Sequence, residues 1–403
     1  MPSSTPIFIP LKKNKKTARI CHPAHYHSKT EHHTHLEMQK IFIFYCSMKL
    51  CFPHNKKRIV WIDYCRALAV SLIVLEHVQY IHHVYEAISA CAMPTFVFLS
   101  GCTFERSAKA PFLELLRKKF RTLIIPYIGF SAILFAFWFL ALRNFGITYR
   151  SEATVADVLL QILYGTNSTF FVTPLWSLTC LFVVEILFWC LFRIRNKFMM
   201  ITIIALLFVP GLFYRTYKGI LQLPHVFWNF DQACFLLPFF AIGFITSKKN
   251  LVEKIFCSLK RNIFVFLVSV ASFAIAIVSR ENTTSPLFLV STQAMMACFG
   301  LIAIIAICKS IRENVVLNFI GQNTMTIFAL HIMMQGILRG ALFKISPVTL
   351  EWIKSSFLGG IVLTIVSILA LVPVILLINR FTPWLAGKKS KAPQVQKAKV
   401  DAG

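Results

Sequence analysis

Asp63, Arg66, Glu76 and His77 interrupt WIDYCRALAVSLIVLEHVQY, residues 61–80, a stretch otherwise apolar and of membrane-helix length. Ionisable groups are costly at membrane depth, so their persistence there points to a site rather than an anchor. Arg66 and His77 are eleven residues apart. At about 100° and 1.5 Å per residue they return to within roughly 20° of one helix face, about 16 Å apart along the axis. Asp63 lies one turn before Arg66 on nearly the same stripe, whereas Glu76 points elsewhere and needs a partner of its own. A histidine so placed can take a proton from a hydroxyl or carry a transferred group, and a guanidinium on the same face can hold an anionic, phosphate-bearing donor.

Three further segments carry residues of the same kind. FLELLRKKFRTLIIPY places Arg117, Lys118, Lys119 and Arg121 at a helix entrance, with Lys118 and Arg121 one turn apart and able to face one phosphate. The bland reading of that cluster is a topological flank. FIGQNTMTIFALH, residues 319–331, carries Asn323, Thr324 and His331, with His331 about two turns beyond Asn323 on an unbroken helix. A single intramembrane histidine is also a common structural hydrogen-bonder. In MPTFVFLSGCTFER, residues 93–106, Pro94 opens a helix, Gly101 permits close approach of another backbone, and Ser100 can satisfy a freed carbonyl. PLWSLTCLFVVEILF adds Trp176, an expected interfacial anchor or sugar-stacking ring, and Glu185 within a span.

The elements that position these residues follow from composition. Of 403 residues 57% are hydrophobic and 14% charged, too apolar for a soluble chain and too evenly spread for one anchor. The fold class is all-α: a polytopic integral membrane helix bundle of about ten transmembrane helices. The spans are predicted at 59–80, 85–104, 122–142, 174–192, 198–214, 231–247, 262–279, 286–308, 316–342 and 356–379. Residues 156–172, broken by Gly165 to Thr169, read as an interfacial or re-entrant segment. The 12 cysteines fall mostly in or beside apolar spans without a C-x-x-C pair, and act there as small hydrophobes rather than as a disulfide framework.

Lys and Arg concentrate in alternate loops, including Lys56 to Arg58, Arg106 to Arg121, Arg193 to Lys197, Lys248 to Arg261, and the tail. The positive-inside rule then places both termini in the cytoplasm. The same bias accounts for most of the net charge of +26, so nucleic acid is not expected as a partner. Residues 1–55 are expected to form a disordered, basic, histidine-rich extension, with an over-extended start and a more ordinary lead-in from Met48; 56–380 form the membrane domain and 381–403 a basic cytoplasmic tail. The crowded histidines from His22 to His35 lack a ligand geometry, and no metal site is expected.

DYCRALAVSLIVLEH, MPTFVFLSG, RKKFRTLIIPY, PLWSLTCLFVVE, LLPFFAIGF and GQNTMTIFALH occur in the order in which the acyltransferase 3 family shows such motifs. The chain resembles that family from residue 58 to about 380, and looks closest to the branch containing fucose 4-O-acetylases. The resemblance implies a membrane enzyme that moves an acyl group, usually acetyl from cytoplasmic acetyl-CoA, to a hydroxyl of an envelope glycan or lipid-linked sugar. It implies a bacterial inner-membrane protein in contact with the lipid bilayer. The family's basic residue and histidine fall on Arg66 and His77, its basic pair on Lys118 and Arg121, and its late asparagine and histidine on Asn323 and His331. Arg66, Lys118 and Arg121 would bind the donor, and His77, His331, Asn323 and Arg66 would serve catalysis. Two positions depart from the family's pattern: Ala92 stands where a histidine is common, and Glu76 where a small residue is common. No H-x-x-x-D or G-x-S-x-G motif competes. The alternatives are a sugar transporter or flippase, and an acyltransferase using a succinyl-type donor. The acceptor, the acyl chain and the oligomeric state stay open at this level.

Overall fold

The structure, a computed structural model, describes residues 59–78, 82–142, 154–165, 174–218, 220–282 and 285–388. The extension 1–55 and the tail from 389 onward lie outside the described residues. Every described regular element is helical. The first, α1 (Val60–Glu76), is followed by α2 (His82–Cys102), a short α3 (Glu105–Ala108) and α4 (Phe112–Lys119). A π-helical turn, Phe120–Ile124, joins α4 to α5 (Ile125–Phe137). Pro126 lies at the start of α5, and its missing N–H and its ring displace the i to i−4 ladder, which accounts for the widened turn just before it.

The chain continues through α6 (Val155–Tyr164), α7 (Trp176–Phe192), α8 (Lys197–Tyr217), α9 (Phe230–Lys248) and α10 (Leu251–Ile255). Then come α11 (Leu259–Glu281), α12 (Pro286–Ser310), α13 (Val315–Gln322), α14 (Thr324–Ile345), α15 (Pro347–Ser355) and α16 (Phe357–Phe381). Among the described residues seven helices are long and apolar enough to cross a membrane. The three other expected spans are α1, α2 and α7, which are shorter or carry more polar residues. Helix α6 has 10 residues, about 15 Å of rise, and cannot span. It starts at a capping box in which Thr154 and Asp157 bond reciprocally, holding the Asp157 carboxyl below its usual range, and ends at Gly165 with φ +68°.

The outer helices are apolar on the outside. Phe198, Ile201 and Leu206 of α8, and Phe264, Leu267 and Ile275 of α11, are exposed, which suits lipid and not water. The interior is built on α9, buried along most of its length, with α2, α7 and α8 packed on it. The contact of α2 with α9 is made by two reciprocal glycines. A Cβ on Gly101 would lie 2.2 Å from the Phe240 carbonyl oxygen, and one on Gly243 would lie 2.1 Å from that of Phe98. In a bilayer, where burial gives helices little reason to associate, such backbone approach is what lets them pack.

Near Pro94 the side-chain bond to the backbone comes from a residue other than Ser100. Thr95 Oγ1 donates to the Cys91 oxygen at 2.8 Å, whereas Ser100 faces a cavity. The Thr95 side chain folds back one turn along the helix next to the proline.

Replacing Gly101 or Gly243 by leucine must push α2 and α9 apart, and should cost about 1–3 kcal/mol or more. Gly336→Ala and Gly340→Ala meet open space and should gain about 0.5–1 kcal/mol in helix propensity. Unfolding midpoints in detergent check both, and equal midpoints for the two pairs would contradict the close approach.

Candidate active site

Arg66 sits in the second turn of α1 and pairs with Asp63 one turn earlier, with Nη1 to Oδ1 at 3.5 Å. Gly321, near the end of α13, brings that helix onto the same turn, since a Cβ there would lie 2.0 Å from the Asp63 carbonyl oxygen. The expected single span 316–342 is broken at this level. Asn323 separates α13 from α14 with φ −119° and ψ 17°, so Asn323 and His331 do not lie on one continuous helix.

The break is held by hydrogen bonds. Asn323 Nδ2 donates to the Phe319 oxygen at 2.7 Å, and its Oδ1 accepts from Asn379 Nδ2 at 2.8 Å and from Lys388 Nζ at 2.8 Å. Lys388 also donates to Asn379 Oδ1 at 2.7 Å. Asn323 is thereby fixed to α16 and to the segment after it.

Beyond the break α14 runs beside α1. His331 is fully buried, and its ring centroid lies 5.1 Å from that of His77. His331 Nδ1 approaches the Phe328 oxygen at 2.8 Å and the Ile327 oxygen at 3.2 Å. Carbonyl oxygens only accept, so Nδ1 carries the proton and Nε2 is left as a lone-pair acceptor. That Nε2 is buried without a hydrogen-bond partner.

One and two turns further along α14, Gln335 Nε2 donates to the Val74 oxygen at 2.8 Å and Arg339 Nη2 to the His77 oxygen at 2.8 Å. Helix α1 ends at Glu76 with His77 as its C-cap. Gln335 and Arg339 therefore supply donors to carbonyls that the end of α1 leaves unpaired, and Arg339 a cation to the negative end of its dipole, on the stripe that also carries His331. Glu76, on another face as expected, finds Ser89 and the field of Arg215, which itself bonds Gln232 at 2.7 Å and the Ser89 oxygen at 3.1 Å.

A cavity of about 160 Å³ opens beside Arg66. Arg66, Ser100, Ser177 and Thr324 are its polar lining, and Met93, Phe96, Leu123 and Phe328 form much of its apolar wall. Lys118 and Arg121 are both exposed on the segment that contributes Leu123 to that wall, and Lys118 Nζ donates to Ser107 Oγ at 2.9 Å. Their neighbour Lys119 turns inward instead and pairs with buried Glu185 at 2.7 Å, anchoring α4 to α7.

The structure thus brings Arg66 together with Ser100 and Thr324, and His77 together with His331. It keeps Asn323 in a separate node. The sequence reading missed Gln335, Arg339, Asn379, Lys388 and the pairing of Lys119 with Glu185. A polar stripe at i, i+4 and i+8 from His331 was the available signal for the first two.

The sequence model described as an acyltransferase domain, that of acyltransferase 3, matches residues 59–380. The chain belongs to the acyltransferase 3 family. No curated protein and no solved structure gives a match. The match covers all the residues above except Lys388, and with the apolar helices it makes this protein a multi-pass membrane acyltransferase.

Removing a donor to the end of α1 strands a buried carbonyl. Gln335→Ala and Arg339→Ala should each lower the stability of this acyltransferase by about 1–3 kcal/mol. The double variant should lose less than the sum, because both act on one turn. Unfolding in detergent of the four proteins of that cycle is the check, and strict additivity would argue against a shared role.

Proposed function

We propose that this acyltransferase moves an acetyl group from cytoplasmic acetyl-CoA to a hydroxyl of a cell-envelope glycan or lipid-linked sugar. In this reading it acts in a bacterial inner membrane with both termini in the cytoplasm. The observation that carries the proposal is the histidine pair: two backbone carbonyls fix the tautomer of His331, its Nε2 is buried without a hydrogen-bond partner, and its ring centroid lies 5.1 Å from that of His77 at the end of α1. A rotation of the His77 ring lets its single N–H donate to Nε2 of His331, leaving its other nitrogen as the base. This is the logic of a base oriented by a second group, with a histidine in the orienting position.

The acceptor hydroxyl gives its proton to His77 as its oxygen attacks the thioester carbonyl. The carbon–oxygen bond forms, the carbon–sulfur bond breaks, and the proton passes to the departing CoA sulfur. The exposed Lys118 and Arg121 supply positive charge for the donor's phosphates, and Arg66, in the cavity, orients its thioester end. The hydroxyls of Ser100 and Thr324 are the groups placed to donate to a thioester oxygen held beside Arg66. Asn323 acts as a positioning residue, since its amide is engaged in holding the helix break that presents Thr324.

Labelled acetyl-CoA supplied to membranes containing the wild-type protein should label the glycan fraction. His77→Ala should lower that label by about 10²- to 10⁴-fold. Arg66→Ala should raise the acetyl-CoA concentration needed for half-maximal transfer. Undiminished transfer by His77→Ala at equal expression would overturn the base assignment, and an unchanged donor dependence in Arg66→Ala would overturn the donor-site assignment.

A further inference from the structure

The cavity beside Arg66 stops short of the histidine pair. Neither His77 nor His331 lines it, whereas Phe328, one turn before His331, does. The Phe328 ring packs edge-on against Phe96 at 6.3 Å and lies 6.2 Å from the His331 ring. Phe96 is also on the cavity wall. Phe328 therefore stands as a partition between the space where a thioester could rest and the histidine pair, and Phe96 braces it from the cavity wall.

The partition has the properties of a movable one. Edge-to-face aromatic contact adds only about 0.5–1.5 kcal/mol beyond the area buried. Met93 and Met325 line the same cavity, and unbranched thioether side chains reshape at little cost. The floor of the cavity is also a limit on length, because an acyl chain longer than the space must displace Phe328 or remain unburied. Each methylene that finds a buried place favours binding by about fourfold, and each that does not forfeits it.

We propose that Phe328, braced by Phe96, is both the gate between the donor cavity and the histidine pair and the residue that restricts the donor to short acyl chains. The inference rests on the acyl-CoA reading above and adds the residue that sets donor specificity. Phe328 touches the acyl group in this account, but it takes no part in proton transfer.

The test compares acetyl-, butyryl- and hexanoyl-CoA, each labelled in the acyl group, with the full-length protein in membranes. The variants are Phe328→Ala, Phe328→Leu and Phe96→Ala. Wild type should favour acetyl over hexanoyl by about tenfold or more, and Phe328→Ala should shift that ratio toward hexanoyl by at least about tenfold. Phe328→Leu and Phe96→Ala should shift it in the same direction by less. Phe328→Leu keeps an apolar side chain in the core, so it carries the test if the alanine variant fails to accumulate. Acetyl transfer with an unshifted ratio in the accumulating variants would overturn this inference and leave the acyltransferase reading standing. No transfer of any chain by wild type would overturn both.

Discussion

A helix that stops within a bilayer exposes its last carbonyls to a medium that offers no hydrogen bonds. Helix α1 has 17 residues, about 26 Å of rise against roughly 30 Å of hydrocarbon, so its end requires partners from the protein. Helix α14 provides them through Gln335 and Arg339. The same stripe brings His331 against His77, so the solution to a backbone problem also assembles the two rings. Gly321, packed on the Asp63 backbone, fixes the other end of the same contact. Between these two points α1 and the α13–α14 pair are held in register, and Arg66 and His77 keep their separation.

The break at Asn323 is what makes that register possible. A continuous helix from 315 to 345 would have to satisfy the Gly321 contact and the Gln335 and Arg339 contacts on one straight stripe. Interrupting it lets each half take its own phase, and the freed backbone is covered by Asn323, Asn379 and Lys388. The π-helical turn before Pro126 does comparable work on the other side of the cavity, turning Lys119 inward to Glu185 while Leu123 faces the cavity.

The fold was legible because apolar length is written residue by residue: the expected spans fall on α1, α2, α5, α7, α8, α9, α11, α12, α13–α14 and α16. The facing of Arg66 and the separate partner for Glu76 were legible too, since both follow from helical phase alone. The break at Asn323 was not, because asparagine within an apolar run does not announce a change of direction as proline does. Which of Lys118 and Lys119 turns inward was hidden for a related reason: a π turn shifts the phase from which their direction would be read. The depth at which the cavity ends depends on how Phe96 and Phe328 meet from two helices, and no local pattern encodes that.

The bond from Lys388 to Asn323 changes where the working unit of this protein ends. The family match closes at residue 380, within α16, yet the amine that secures the helix break comes from beyond it, after the short turn Pro383–Ala386. Gly387, with φ +65°, turns the chain back so that this reach is made. A boundary drawn at the edge of family similarity would thus cut a strap that closes the bundle on itself. Whatever is appended or trimmed past α16 is mechanically in series with the helix break beside Arg66, although it lies far from it in sequence.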